Sequence, residues 1–203
     1  MPRNIIAILR GVQPDEVLAI GETLIDAGIT TIEVPMNSPD ALGSIGLLTQ
    51  DLGERADIGA GTVLTAQAVL DVASVGGRLI ISPDANPEVI EATKAAGMAS
   101  YPGVLTPTEC FTALRHGADG LKFFPGSLVG PDGLRAIYAV LPKGTKTYAV
   151  GGAEPDSFAD WLAEGVTGFG IGSGLYKAGF SAQDVSYRAK KIVAAYDSAV
   201  SDQ

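Results

Sequence analysis

The chain has 203 residues, 46% of them hydrophobic, which is enough to bury a full core and predicts a single domain over residues 1–203. It carries 23 acidic and 14 basic side chains, a formal net charge of -9, and no basic run longer than Lys190–Lys191. This balance argues against nucleic acid or an anionic membrane surface as a main partner. One histidine, His116, and one cysteine, Cys110, cannot build a histidine-based metal site or an internal disulfide framework, so both are interpreted as structural.

The apolar segments are all shorter than a membrane span. The N-terminal sequence MPRNIIAILRG has an apolar core of five residues, which Arg10 interrupts, and this is too short for a signal peptide or a spanning helix. A lone cysteine also fits a reducing compartment. We therefore expect a cytoplasmic protein with no membrane partner.

Short apolar or β-branched runs alternate with longer amphipathic runs, and the unit repeats about every 20 to 30 residues, as expected for βα units around a parallel sheet. In chain order, the predicted strands are residues 5–9, 30–35, 57–61, 79–82, 98–101, 119–123, 146–150 and 167–171. Eight consecutive units in a chain of this length predict a compact (β/α)8 TIM barrel. An open doubly wound sheet is the alternative.

Prolines and glycines punctuate the predicted helices. Proline at the first helical position loses no needed donor, so we expect helices to begin at Pro14, Pro39, Pro87, Pro107, Pro131 and Pro155. Glycines in DAGI, KAAGM, RHGAD and AEGVT are predicted to end helices. The order Thr106, Pro107, Glu109 predicts a capping box, which leaves Glu109 outside the functional site.

Polar side chains fall at the carboxyl ends of the predicted strands, where a barrel places its chemistry. Arg10, Glu33, Thr62 and Lys122 all have this position. Strand alternation puts Ile32 and Val34 on the helix side and Glu33 inside; it likewise puts Leu121 and Phe123 outside and Lys122 inside. We expect the inward Gly120 to give room beside the amine.

Lys122 and Glu33 are the candidate catalytic pair. A desolvated amine can add to a ketone, and a nearby carboxylate can move the protons that imine and carbanion chemistry require. The structural alternative is a lysine that turns its ammonium to solvent, or a buried ion pair between the two. Their common position at one mouth of the barrel favours the catalytic interpretation.

Two glycine-rich loops follow the last two predicted strands. They are VGGAEPDS at 150–157 and GIGSGLY at 170–176, and their backbone N–H groups can approach an anion closely. This is the usual phosphate position in such barrels, and Ser173 adds a hydroxyl donor. Tight turns explain either loop alone, but the pair predicts a phosphate site. GAGTVLT at 59–65 is a weaker signal, because its glycines could simply turn the chain into the next helix.

These motifs together resemble the KDPG/KDPGal aldolases, the small class I aldolases of 2-keto-3-deoxy-6-phospho sugar acids. The resemblance covers nearly the whole chain. It rests on the order and spacing of IAILRG, IEVPMNSP, GAGTVL, PGVLTPTE, LKFFP, VGG and GIGSGLY.

The resemblance implies a role for each candidate residue. Lys122 would form a Schiff base and Glu33 would move protons. Arg10 and Thr62 would bind the pyruvyl carboxylate, and the phosphate would lie among Gly151, Gly152, Gly172 and Ser173. It also implies a homotrimer with no metal and no cofactor, acting on a phosphorylated keto-deoxy sugar acid, pyruvate and glyceraldehyde 3-phosphate. Asn37, where many members carry arginine, and Ser127 depart from the common pattern, and their roles stay open.

Val150 directly precedes the GG turn, and the prediction of which C4 epimer is the substrate rests on this residue. Galactonate-type members share this valine and the PxNSP pattern, whereas gluconate-type members tend to have threonine there, so the resemblance implies the galactonate epimer. The alternatives are the gluconate epimer, another phosphate-binding barrel isomerase or synthase for which Lys122 would be expendable, and a sugar-phosphate sensor that does not turn its ligand over.

Overall fold

A computed structural model describes residues 3–201. It contains one sheet of nine parallel strands in the order β5-β4-β3-β2-β1-β9-β8-β7-β6. The strands are β1 (Ile5–Ile8), β2 (Thr31–Pro35), β3 (Asp57–Gly61), β4 (Leu79–Ile81), β5 (Ala99–Ser100), β6 (Gly103–Val104), β7 (Leu121–Phe123), β8 (Thr147–Val150) and β9 (Gly168–Ile171). The helices are α1 (Pro14–Ala27), α2 (Ala41–Leu52), α3 (Ala66–Ser74), α4 (Pro87–Ala95), α5 (Pro107–Arg115), α6 (Gly126–Tyr138), α7 (Phe158–Ala163) and α8 (Ala182–Ser201).

All eight predicted strands are present, but the sheet has one more strand than expected. The fifth predicted strand continues beyond Pro102 as β6, and β5 and β6 pair with different neighbours, β4 and β7. Pro102 has no N–H to donate to a ladder. Its carbonyl accepts from Lys122 N–H at 2.9 Å, and the Ser100 carbonyl accepts from Asp119 N–H at 2.9 Å. The sheet is therefore curled, with its two ends brought together by the chain that joins them.

Four of the six proline predictions are confirmed. Helices α1, α4 and α5 begin at proline, and the second part of α6 begins at Pro131, after a break at Gly130 with φ 64° and ψ 169°. Pro155 begins a helical segment as predicted, but its first three residues form a 3₁₀ turn that leads into α7. The prediction for Pro39 is wrong: it lies before Asp40, which caps α2 by accepting from Gly43 N–H at 3.2 Å.

The predicted helix ends and the predicted capping box are confirmed. Each of the four glycines named from the sequence has positive φ, as at Gly28 with φ 90° after α1. Thr106 accepts from Glu109 N–H, and the Glu109 carboxylate accepts from Thr106 N–H at 2.8 Å, so this carboxylate is used in the cap. His116 follows the last residue of α5, and its Nδ1 lies 2.7 Å from Glu91 Oε1.

Two hydrophobic layers hold the sheet. The outer layer packs against the helices and includes Ile32, Val34, Leu121 and Phe123, which confirms the predicted strand faces. The inner layer fills the curl of the sheet with Ile6, Ile8, Leu79, Ile81, Tyr148 and Val150. Cys110 is buried in the outer layer, and burial raises the pKa of its thiol to about 11, which supports a structural role. Among residues 3–201, no helix combines the length and the apolar character needed to cross a membrane.

Candidate active site

A cavity of about 380 Å³ opens at the carboxyl ends of the strands. Eight of the nine site residues predicted from the sequence line it: Arg10, Glu33, Lys122, Val150, Gly151, Gly152, Gly172 and Ser173. The ninth, Thr62, does not line the cavity but contacts Arg10, with 3.3 Å between Oγ1 and Nη2. The sheet therefore brings together residues that lie far apart in sequence.

Lys122 lies in the middle of β7 and is only 6% exposed. Its Nζ lies 4.8 Å from the centroid of the Phe124 ring. Burial lowers the pKa of Lys122; the negative charge of Glu33 opposes this shift, and the positive charge of Arg10 adds to it. A lowered pKa increases the fraction of neutral amine, which is the nucleophilic form.

Glu33 lies in β2 and is 1% exposed. Its Oε2 has no hydrogen-bond partner among the described residues. Burial raises the pKa of Glu33 to about 7, against the opposing charges of Lys122 and Arg10. A carboxyl group with a pKa near neutrality can both accept and return a proton, which is what a proton shuttle requires.

Gly61, at the end of β3, makes the room that Glu33 occupies. A Cβ at this position would lie 2.0 Å from Glu33 Oε2. The glycine is therefore part of the site, although the sequence suggested only that GAGTVLT turns the chain. The interpretation of Gly120 is wrong in a related way: a Cβ there would meet the Tyr101 ring at 3.0 Å, so this glycine makes room for Tyr101.

Arg10 is held from two sides at the end of β1. Its Nη1 donates to Asn37 Oδ1, and its Nη2 donates to Thr62 Oγ1. Thr62 has φ 55°, a left-handed conformation that is rare for a β-branched residue and has an energetic cost. The backbone at Thr62 is fixed by its N–H, which donates to the Ile81 carbonyl at 2.9 Å.

The two glycine loops form adjacent walls of the cavity. After β8, Gly151 and Gly152 have φ 78° and 92°. A Cβ on Gly152 would lie 2.6 Å from the Ser127 Cβ, and Ser127 N–H donates to the Gly151 carbonyl at 2.8 Å. Ser127, whose role the sequence left open, thus packs against this turn and holds it.

The second loop, after β9, is held by the residues that follow it. The Gly172 carbonyl accepts from Leu175 N–H at 2.8 Å and from Tyr176 N–H at 2.9 Å. Both side chains are buried, and Tyr176 donates its hydroxyl to Glu16 at 2.7 Å. Ser173 is exposed at the cavity between these anchored residues.

Val150 contributes an apolar wall beside the first glycine loop and is 5% exposed. Its register partner in β9 is Gly170, where a Cβ would lie 2.7 Å from Val150 Cγ2. The sequence did not single out Gly170, or the cavity-lining Phe124, Glu154, Tyr176 and Lys177. Strand alternation could have indicated Gly170, which lies on the inner face with Val150.

The described residues hold no group of three or more His, Cys, Asp or Glu side chains placed to bind a metal ion. The chemistry that the site can offer comes instead from a buried amine with a lowered pKa and a carboxyl with a pKa of about 7. A guanidinium and a set of glycine backbones line the same cavity, and both kinds of group can bind anions.

The family model described as "Aldolase: KDPG and KHG aldolase" matches residues 2–192. The chain belongs to this family. The match confirms the family that the sequence motifs indicate, and it covers every candidate site residue of the chain.

Two curated relatives are similar along nearly the whole chain. A "Probable 2-dehydro-3-deoxy-6-phosphogalactonate aldolase" from Rhizobium meliloti (strain 1021) is 49% identical over 203 residues, 100% of this chain and 96% of the relative. A "2-dehydro-3-deoxy-6-phosphogalactonate aldolase" from Escherichia coli (strain K12) is 45% identical and covers 97% of this chain and 96% of its own length. A solved structure named "Native KDPGal structure" superposes with a TM-score of 0.97 at 44% identity, covering 99% of this chain and 98% of that one.

Proposed function

We propose that this member of the aldolase family is a class I enzyme that reversibly cleaves 2-dehydro-3-deoxy-6-phosphogalactonate to pyruvate and glyceraldehyde 3-phosphate. The observation that carries the proposal is the buried pair at one cavity: Lys122 with a lowered pKa and Glu33 with a pKa of about 7. The names of the two relatives at 49% and 45% identity support the same substrate.

The reaction begins when the neutral Nζ of Lys122 adds to the C2 ketone. Loss of water from the carbinolamine leaves a protonated imine. Glu33, directly or through a water, removes the C4 hydroxyl proton; the C3–C4 bond breaks, and its electron pair passes into the imine to give an enamine. Glyceraldehyde 3-phosphate leaves. Protonation of the enamine at C3 and hydrolysis of the imine release pyruvate and restore the lysine. The imine is the electron sink, so the mechanism uses no metal and no cofactor.

The remaining cavity residues bind the substrate in this proposal. Arg10 binds the carboxylate beside C2 while Thr62 supports the guanidinium. The backbones of Gly151, Gly152 and Gly172 and the hydroxyl of Ser173 receive the phosphate. Val150 lies where the C4 hydroxyl is expected, and its methyl groups offer no hydrogen bond to either epimer.

We also propose the finer features that the resemblance implies. The curled sheet is a (β/α)8 barrel whose fifth strand is split into β5 and β6, and residues 1–203 form a single domain. The Asp119–Ser100 and Lys122–Pro102 backbone hydrogen bonds support closure of the barrel. The chain assembles as a homotrimer and works in the cytoplasm, where its substrate and products are metabolites and its buried thiol stays reduced.

The substrate assignment is tested by kcat/KM on the two C4 epimers side by side. The native enzyme is expected to prefer the galactonate epimer, and Val150→Thr to shift preference toward the gluconate epimer by roughly ten- to a hundredfold, the worth of one hydrogen bond in a desolvated site. Valine and threonine have the same shape, so packing is preserved. A strong preference of the native enzyme for the gluconate epimer would overturn the galactonate assignment and favour the alternative substrate.

A further inference from the structure

Two consecutive residues of the loop after β2, Asn37 and Ser38, hold two consecutive residues of the loop after β1. Asn37 Oδ1 accepts from the Arg10 guanidinium, and Ser38 Oγ accepts from the Gly11 N–H at 2.9 Å. Gly11 has φ 85°, so the turn that follows Arg10 has a conformation that few other residues adopt. One loop therefore fixes both the side chain and the backbone of the Arg10–Gly11 turn.

The holding loop is itself anchored to the sheet. Met36 N–H donates to the Gly61 carbonyl at 2.8 Å, and Ser38 N–H donates to the Pro35 carbonyl at 2.8 Å. Ser38 is 8% exposed, so its hydroxyl is held in a buried position. Because the anchors lie in β2 and β3, the position of Arg10 is tied to the same two strands that position Glu33 and Gly61.

The acceptors that hold Arg10 are neutral. A guanidinium has five N–H donors, and the amide of Asn37 and the hydroxyl of Thr62 engage two of its nitrogen atoms without cancelling its charge. Donors and a full positive charge stay available for a ligand in the cavity that Arg10 lines. Asn37 and Ser38 are not among the residues lining that cavity, and their hydrogen bonds to the site run to Arg10 and to the Gly11 backbone.

We propose that Asn37 and Ser38 are positioning residues that orient the Arg10 guanidinium toward the carboxylate of the bound 2-keto acid. The inference rests on the proposed function, because it takes the carboxylate of that substrate as the ligand of Arg10. It adds two residues to the site and assigns to the PMNSP segment a task in binding the carboxylate.

The test is a double-mutant cycle with the variants Asn37→Ala, Arg10→Met and the two combined. The readout is the ketone concentration that half-saturates borohydride trapping at Lys122, measured with pyruvate and with hydroxyacetone, which has no carboxylate. We expect Asn37→Ala to raise the half-saturating pyruvate concentration about tenfold and Arg10→Met to raise it about a hundredfold. These factors span the range for a lost hydrogen bond to a charged group. Hydroxyacetone values should stay within about twofold in Asn37→Ala, since no carboxylate is involved. In Arg10→Met, a change shared by both ketones reports the lost positive charge beside Lys122, and the carboxylate effect is the excess seen with pyruvate.

The combined variant separates positioning from direct binding. If Asn37 acts through Arg10, the double variant matches Arg10→Met within about twofold. Effects that multiply in the double variant, or an unchanged pyruvate value in Asn37→Ala, would overturn the proposal. Equal losses for pyruvate and hydroxyacetone would also overturn it, because they would indicate general damage to the site.

Ser38→Ala provides a second, independent variant. It removes one neutral hydrogen bond to the Gly11 backbone, so we expect the pyruvate value to rise by about two- to tenfold with hydroxyacetone unchanged. An unaltered pyruvate value would remove Ser38 from the proposal. If the native enzyme traps neither ketone, the proposed function fails together with this inference. If the native enzyme traps both ketones and the variants have the same half-saturating pyruvate concentration as the native enzyme, only this inference is overturned.

Discussion

Gly61 shows how a missing side chain can determine a catalytic geometry. The Glu33 carboxylate occupies the space where any other residue at position 61 would place its Cβ. A glycine near a strand end is usually interpreted as a turn residue. No local sequence pattern distinguishes such a glycine from one that makes room for a side chain 28 positions away, as Gly61 does for Glu33. The sequence therefore predicted Glu33 correctly as a cavity residue while missing the glycine that accommodates it.

We expect Gly61→Ala to displace the Glu33 carboxylate and lower kcat by about a hundredfold, because small misplacements of reacting groups have effects of this size. Gly46→Ala is the matched control. Gly46 lies inside α2, where a Cβ would have 3.7 Å of clearance to Val75, so this variant should keep full activity. Full activity in Gly61→Ala would show that the Glu33 carboxylate does not need its observed position.

The raised pKa of Glu33 predicts how stability changes with pH. Its pKa of about 7 in the folded chain exceeds the usual 4.5, so between these pH values the folded state keeps a proton that the unfolded state has lost. The contribution of Glu33 to the free energy of unfolding therefore falls as the pH rises from about 4.5 to 7. Glu33→Gln removes this contribution, so the variant should gain stability relative to the native chain across that window.

Urea unfolding of both proteins at about pH 5 and about pH 8 measures this difference. The exposed Glu22→Gln serves as the control and is expected to show a constant difference from the native chain. A constant difference for Glu33→Gln as well would contradict the raised pKa.

The glycine loop after β8 depends on helix α6 for its shape. Gly152 has positive φ, and a Cβ on it would collide with Ser127, the second residue of α6. We expect Gly152→Ala to raise KM for the phosphorylated substrate about tenfold, because both the strain and the contact move the loop. The phosphate-free 2-keto-3-deoxygalactonate should show little change in KM.

Gly172→Ala, in the neighbouring loop, is a milder substitution whose effect on KM can be compared with that of Gly152→Ala. A Cβ on Gly172 would lie 3.8 Å from the Ile8 Cβ, an ordinary contact, so we expect a smaller rise in KM than for Gly152→Ala. Equal KM increases for phosphorylated and phosphate-free substrates in Gly152→Ala would contradict a loop that receives phosphate.

The strands and helices were predictable where local chemistry determines them. Strand alternation predicted the correct faces of β2 and β7. Proline marked the starts of α1, α4, α5 and the second part of α6, and glycine marked the ends of four helices. The split of the fifth strand was missed because it depends on which neighbours its two halves pair with, β4 and β7, a matter of tertiary contact. The first turn of α6, before the break at Gly130, was missed as well, whereas Pro131 correctly marked the start of the second part of this helix.

In the whole molecule, the curled sheet brings residues of β1, β2, β7, β8 and the loop after β9 to one cavity. Parallel strands share a carboxyl end, so the sequence could predict which residues would meet there. It could not predict two of their supports: Asn37 and Ser38 for Arg10, and Ser127 for Gly152. These contacts join distant parts of the chain and have no local sequence pattern.

The central claim is that Lys122 forms an imine with the substrate ketone. Borohydride reduction in the presence of pyruvate, followed by peptide mass analysis, tests it most directly, with Lys143→Met as a control for an exposed lysine. We predict one three-carbon adduct on Lys122, retained in Lys143→Met and lost in Lys122→Met together with aldol cleavage. An unmodified Lys122 peptide in the native enzyme, or full aldol cleavage by Lys122→Met, would contradict the account.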